Sequence, residues 1–168
     1  LFSGDGAGVL GRLLKQYGAK ISGGLHLQMP DSIADEKVLK RSLEKNTRLV
    51  KKAKQKVIKT VADIKKGKYP QEGLGFWARL AGFLSQRLWF GYRTKKYSDK
   101  LKVDADKCIG CSKCAKICPT KNIIMTDNKA QGKDRCTVCY RCVNACPKQA
   151  ITLLGKTVIE QTSVEKYL

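Results

Sequence analysis

The chain has 168 residues, 42% of them apolar and 29% charged, which excludes collagen-like and wholly disordered classes and allows one or two domains. No apolar run is long enough to span a membrane, and the opening Leu1-Phe2-Ser3-Gly4 lacks the basic-then-apolar pattern of a signal peptide; it reads as a chain whose beginning lies upstream. The formal charge is +20, of which +15 lies in residues 37–100 and +6 in 101–155, so most of the excess falls outside the cysteine-bearing region.

In chain order, a glycine-rich segment (Gly4, Gly6, Gly8, Gly11) leads into Val9, Leu10, Leu13, Leu14 and Tyr17, a short helix closed by Gly18. Residues 20–28 alternate through Ile21, Leu25 and Leu27 and read as a strand ending at Met29-Pro30. From Ile33 to Lys66 the apolar positions Leu39, Leu43, Val50, Ala53, Val57, Val61 and Ile64 recur at helical spacing, with lysines on the other faces. Asp35-Glu36 at its start and Lys65-Lys66 at its end suit the helix dipole. Gly67–Gly75 breaks this pattern, and residues 74–92 form an apolar, aromatic connector of helical character that is expected to dock on something.

All eight cysteines lie between Cys108 and Cys146, and the first 107 positions have none. A disulfide scaffold spreads its cysteines through the chain it must staple, so this clustering points to metal in a reducing, cytoplasmic compartment. The stretch repeats at an offset of 28: Cys108, Cys111, Cys114 and Cys118-Pro119 align with Cys136, Cys139, Cys142 and Cys146-Pro147, and Ile123 aligns with Ile151. Structural zinc is the competing reading, but zinc usually takes two separated C-x2-C pairs without a third cysteine and a trailing Cys-Pro.

Each copy reads C-x2-C-x2-C-x3-C-P and resembles the run of bacterial two-cluster ferredoxins. That resemblance implies two [4Fe-4S] clusters, with the fourth cysteine of each copy serving the other cluster. Carried over, Cys108, Cys111, Cys114 and Cys146 hold one cluster, and Cys136, Cys139, Cys142 and Cys118 hold the second. It further implies an α+β ferredoxin-like domain with a pseudo-two-fold repeat over 101–155, and short strands near 101–104, 123–126 and 151–154. With every iron held by a thiolate, the expected chemistry is outer-sphere electron transfer without a catalytic residue. Lys107, Lys113, Lys116, Arg135 and Arg141 read first as compensation for thiolate charge and second as a dock for an acidic redox partner.

Gly6-Ala7-Gly8-Val9-Leu10-Gly11 satisfies G-x-G-x-x-G with Asp31 twenty residues on, but a dinucleotide site needs a strand directly before the glycines. The other readings are a tight turn with Ser3 or Asp5 as helix cap, and a flavin-contacting loop. His26 reads as a packing or surface residue rather than a ligand.

Ser3-Gly4-Asp5-Gly6-Ala7, Met29-Pro30, the basic helix, the Phe/Trp-rich connector and Lys102-Val103-Asp104 before Cys108 together resemble the flavodoxin–ferredoxin fusion proteins of anaerobic bacteria. The resemblance implies that residues 1–66 are the last part of an α/β flavodoxin-like domain, followed by a connector (67–100), the ferredoxin domain (101–155) and a tail (156–168). Ser3, Gly4, Asp5 and Gly6 would then lie near a flavin. The first strand and phosphate loop of such a domain are outside this sequence, so FMN is expected only together with them. The expected function is an iron–sulfur electron carrier that exchanges electrons with its own flavodoxin-like domain and with redox partner proteins. The alternatives are a cluster-bearing part of a flavin reductase, and a basic protein on nucleic acid or a membrane surface. For the basic middle, a solvated helix face is the preferred reading over either surface.

Overall fold

The computed structural model describes residues 5–92, 96 and 100–167. Two compact units emerge, and each is assembled from two stretches of chain: Leu1–Met29 with Glu44–Tyr92, and Pro30–Leu43 with Arg93–Leu168.

In the first unit, α1 (Gly6–Lys15) ends as its sequence indicates, with Arg12 and Lys15 in its last turn and Gly18 at φ 82. Its buried positions are Gly8 and Gly11, whereas Leu10 and Leu13 are about half exposed. The glycine face is the packed one because a side chain at Gly11 would crowd Ile21 and one at Gly8 the Gly73 carbonyl. The glycines of the G-x-G-x-x-G match, Gly6, Gly8 and Gly11, are thus inside or at the start of a helix. Residues 20–28 do not form the expected strand. They make one parallel bridge, Gly24 to Gln71, with Gly24 N–H donating to Pro70 O at 2.8 Å and Glu72 N–H to Gly24 O at 2.9 Å. The backbone partner is an irregular turn, so no ladder extends from it.

Helix α2 runs Leu43–Lys65, with exposed ion pairs Arg48–Glu44 and Lys59–Asp63 at i,i+4 spacing and Val50 and Ala53 buried. It starts ten residues later than the apolar periodicity suggests. Polar groups of 31–42 are drawn into a local turn and into tertiary bonds instead. Asp31 Oδ1 accepts from Ile33 N–H at 2.8 Å, and Asp35 is buried in the second unit, leaving only a 3-10 turn at Lys37–Leu39. The connector is helical as expected: α3 (Phe76–Ala81) continues into a π-helical stretch, Gly82–Phe90. Trp77 and Trp89 are 77% and 64% exposed on it.

The second unit carries two small antiparallel pairs. β1 (Lys102–Val103) pairs with β4 (Ile151–Thr152), and β2 (Ile123–Thr126) pairs with β3 (Lys129–Gly132). β3 is absent from the sequence expectations because Lys129-Ala130-Gln131-Gly132 lacks apolar alternation. It forms because Asp127 and Asn128, at φ 48 and φ 60, make a two-residue turn with both positions left-handed. α4 (Lys113–Ile117) follows β1 and α5 (Arg141–Ala145) follows β3, and the two helices pack on each other. Ala34, Ile123, Tyr140, Val143, Ile151 and Leu153 form the core.

Residues 30–43 and 156–162 belong to this unit. Asn144 Nδ2 donates to Ser32 O at 2.8 Å, Ile159 N–H to Ala34 O at 2.9 Å, and Lys40 Nζ to Glu160 O at 2.9 Å. The two stretches together strap the cysteine-bearing segment.

Gly110 (φ 70) opens the first cysteine loop, and a Cβ there would collide with the Asn128 carbonyl. At the equivalent position of the second copy Val138 sits at φ 56. Gly110→Ala is expected to destabilise the protein by about 1–3 kcal/mol in chemical denaturation, from left-handed strain plus the clash.

Candidate metal centre

Each cysteine loop is built by the same local device. A left-handed residue, Ser112 at φ 57 or Tyr140 at φ 59, precedes a five-residue helix that carries Cys114 or Cys142 in its first turn. The next cysteine is extended, Cys118 at φ −70, ψ 115 and Cys146 at φ −73, ψ 115, because a residue before proline is pushed out of the helical region. The chain therefore leaves each helix with its fourth sulfur carried away from its own loop.

Two cavities result, both partly open to solvent. Cavity A is lined by Cys108, Cys111, Cys114 and Cys146; cavity B is lined by Cys118, Cys136, Cys139 and Cys142. Each brings together three cysteines of one copy and the trailing cysteine of the other. In each, one cysteine is exposed (Cys111, Cys139) and one is buried (Cys114, Cys142).

Backbone donors reach several sulfurs. Asn122 N–H donates to Cys118 Sγ at 3.2 Å and, at the equivalent place, Ala150 N–H to Cys146 Sγ at 3.3 Å; Val138 N–H reaches Cys136 Sγ at 3.4 Å. Burial raises the Cys118 thiol, but the Thr120 hydroxyl and the amides of Asn122, Thr120 and Ile123 outweigh it and hold the thiol below its ordinary value. The amides of Ala130 and Gly110 do the same for Cys108. Burial dominates at Cys114 and Cys136, which are raised, and at Cys142, which is pushed up to about 12.

Asn122 is the site residue that sequence reasoning missed. It is 1% exposed and lines cavity B; its Oδ1 accepts from Arg135 N–H at 2.7 Å, while the buried Nδ2 has no partner among the described residues. An idle buried donor beside four sulfurs suits an anionic iron–sulfur group, whose sulfurs accept hydrogen bonds. The second copy has Ala150 at the equivalent position, and that mismatch inside the repeat is the signal that would have found it.

Residues 100–147 match the family model of the 4Fe-4S dicluster domain. They form a dicluster ferredoxin-type domain. No curated protein and no solved structure matches the chain. The donor set agrees with this family, since eight thiols without a histidine or carboxylate among them form the soft environment that iron–sulfur clusters take. When bound, such clusters supply one-electron chemistry. The protein's part is to hold the sulfurs, exclude water from the buried faces, and leave Cys111 and Cys139 at the surface.

The expected flavin-loop residues have a different setting. Ser3 and Gly4 lie outside the described residues. Gly6 begins α1, and Asp5 is 1% exposed, with its carboxylate 2.6 Å from Arg12 and 2.7 Å from Arg87. Burial would raise the Asp5 carboxyl, but the two guanidinium groups outweigh it and hold it below the usual carboxylate range. Asp5 makes no side-chain cap on α1. Among the described residues, no helix is long and apolar enough to cross a membrane.

The Asn122 side chain has two separable uses. Asn122→Ala removes the acceptor of the Arg135 N–H and is expected to cost about 0.5–1.5 kcal/mol of stability. Asn122→Asp keeps an acceptor but adds charge beside four sulfurs, and is expected to lower iron retention on anaerobic gel filtration more than the alanine variant does.

Proposed function

We propose that the chain is an electron carrier with one [4Fe-4S] cluster in cavity A, on Cys108, Cys111, Cys114 and Cys146, and one in cavity B, on Cys118, Cys136, Cys139 and Cys142. The observation that carries this reading is the sorting of eight cysteines into two four-cysteine cavities, with the fourth sulfur of each motif exchanged. Single electrons enter and leave at the exposed sulfur edges, Cys111 and Cys139, and the protein has no substrate chemistry of its own. We read the two halves as a pseudo-two-fold pair. Support comes from left-handed residues recurring at 110 and 138, 112 and 140, and 121 and 149, together with the paired amide-to-sulfur bonds from Asn122 and Ala150.

We further read an FMN-bearing flavodoxin-like domain as the exchange partner within the full-length protein. This rests on the resemblance of residues 1–66 and the connector to flavodoxin–ferredoxin fusion proteins. Cytoplasmic redox proteins would be the other partners.

The exchanged ligand is directly testable. Cys146→Ser lies in the second motif by sequence, yet it should perturb the cluster of the first. The expected result is loss or conversion of the cluster held by Cys108, Cys111 and Cys114, with the other intact. The measurement is Mössbauer and reduced-state EPR spectroscopy of the anaerobically purified variant. Damage confined to the cluster held by Cys136, Cys139 and Cys142 contradicts the assignment.

A further inference from the structure

Asp35 lies 105 residues before Tyr140 and outside both motifs, yet it is 4% exposed and bonds two residues that line cavity B. Tyr140 Oη donates to Asp35 Oδ1 at 2.7 Å. Leu153 and Leu154 N–H donate to Oδ2 at 2.7 and 3.1 Å. Tyr140 and Leu153 both line cavity B, and neither lines cavity A. Tyr140 is itself 1% exposed. Burial alone would raise the Asp35 carboxyl, but the hydrogen bonds from Leu153, Tyr140, Gly155 and Leu154 prevail and hold it below its ordinary value, so the group is an anion at neutral pH.

We propose that Asp35 is an electrostatic positioning residue for the cavity B cluster: its buried charge holds that cluster's reduction potential below the value the four thiolates alone would set, and leaves the cavity A cluster almost untouched. The proposal rests on the two-cluster reading above. Reduction adds negative charge, so a fixed anion nearby opposes it, and a charge sheltered from water acts at longer range than an exposed one. Potentials of such clusters respond to net charge, hydrogen bonds to sulfur and burial.

Among the described residues the charge has no direct counter-ion, and no salt bridge includes Asp35. Lys40, the cation whose field reaches it, spends its ammonium on Glu160 O at 2.9 Å and Thr162 Oγ1 at 3.5 Å. The two cavities differ accordingly. Lys113 and Lys148 line A, and Lys129 Nζ donates to Cys108 O at 2.7 Å; Arg141 is the lining cation of B. The Asn122 amide, a donor at B, works in the opposite sense to Asp35. The strap at residues 30–43 thus brings a charge as well as packing, and the poise of one cluster depends on its being docked.

The test is an anaerobic redox titration of the whole chain, followed through hyperfine-shifted cysteine β-protons assigned by residue, in the native protein, Asp35→Asn and Tyr140→Phe. Asp35→Asn removes the charge at nearly constant size. The couple reported by Cys136, Cys139 and Cys142 should rise, shifting the first electron toward cavity B on the order of tenfold, while that of Cys108, Cys111 and Cys114 stays put. Tyr140→Phe removes a donor that partly neutralises the carboxylate, and should lower the same couple. A purely structural clasp would move both variants in one direction. Equal shifts at both clusters, shifts of one sign in the two variants, or no shift with eight irons retained overturns the proposal. If Asp35→Asn does not fold, Tyr140→Phe decides alone, and a raised or unchanged couple overturns it. A native protein without two clusters overturns instead the reading on which the proposal rests.

Discussion

The structure of the cysteine-bearing unit turns on two Cys-Pro steps. Because the residue before proline is excluded from the helical region, Cys118 and Cys146 leave α4 and α5 in extended conformation. Each then lines the cavity whose other three cysteines belong to the opposite motif. Neither cavity is complete without both halves of the segment. The packing of α4 on α5, the hairpin of β2 and β3, and the pairing of β1 with β4 all hold these two exits in register.

Around this interlock the chain adds a strap from a distant part of its sequence. Residues 30–43 and 156–162 hydrogen-bond to one another and to Val143, Asn144 and Cys146, partly through Gln161 Nε2, which donates to Val143 O at 2.8 Å and Cys146 O at 2.7 Å. A small domain has little apolar surface to bury, so such polar ties and cluster ligation together carry a large share of its stability. Asp35 concentrates the strap's contribution: one buried carboxylate satisfies the Tyr140 hydroxyl and the Leu153 and Leu154 amides. The other unit uses the same device on its own scale, with Asp5 holding Arg12 and Arg87 beside Gly82.

What the sequence made legible was set by local chemistry. The eight cysteines, their two prolines and the offset of 28 were readable because ligand spacing leaves little freedom, and Gly18 marked a helix end because it needs positive φ. The start of α2 was not readable from periodicity. By sequence Asp35-Glu36 reads as the acidic start of a first helical turn, whereas long-range bonds hold Asp35 in the cysteine-bearing unit. Residues 20–28 alternate like a strand, but Gly23 and Gly24 press against the backbone of 70–72, and one bridge is all that forms. Strand β3 was hidden by its polar composition, although Asp127-Asn128 ahead of it is a turn pair that tolerates left-handed backbone. Asn122 and Asp35 take their roles from what they touch across the fold, and no local pattern encodes that.

As an electron carrier of the proposed kind, the chain holds two cubane clusters on eight cysteines in two cavities. Quantification of iron and acid-labile sulfide in the anaerobically purified chain, with EPR after reduction, tests it most directly. Two clusters require eight irons and eight sulfides per chain, with magnetically interacting signals from two reduced centres. About two zinc ions per chain with no sulfide, or four irons and one isolated EPR signal, would contradict the account.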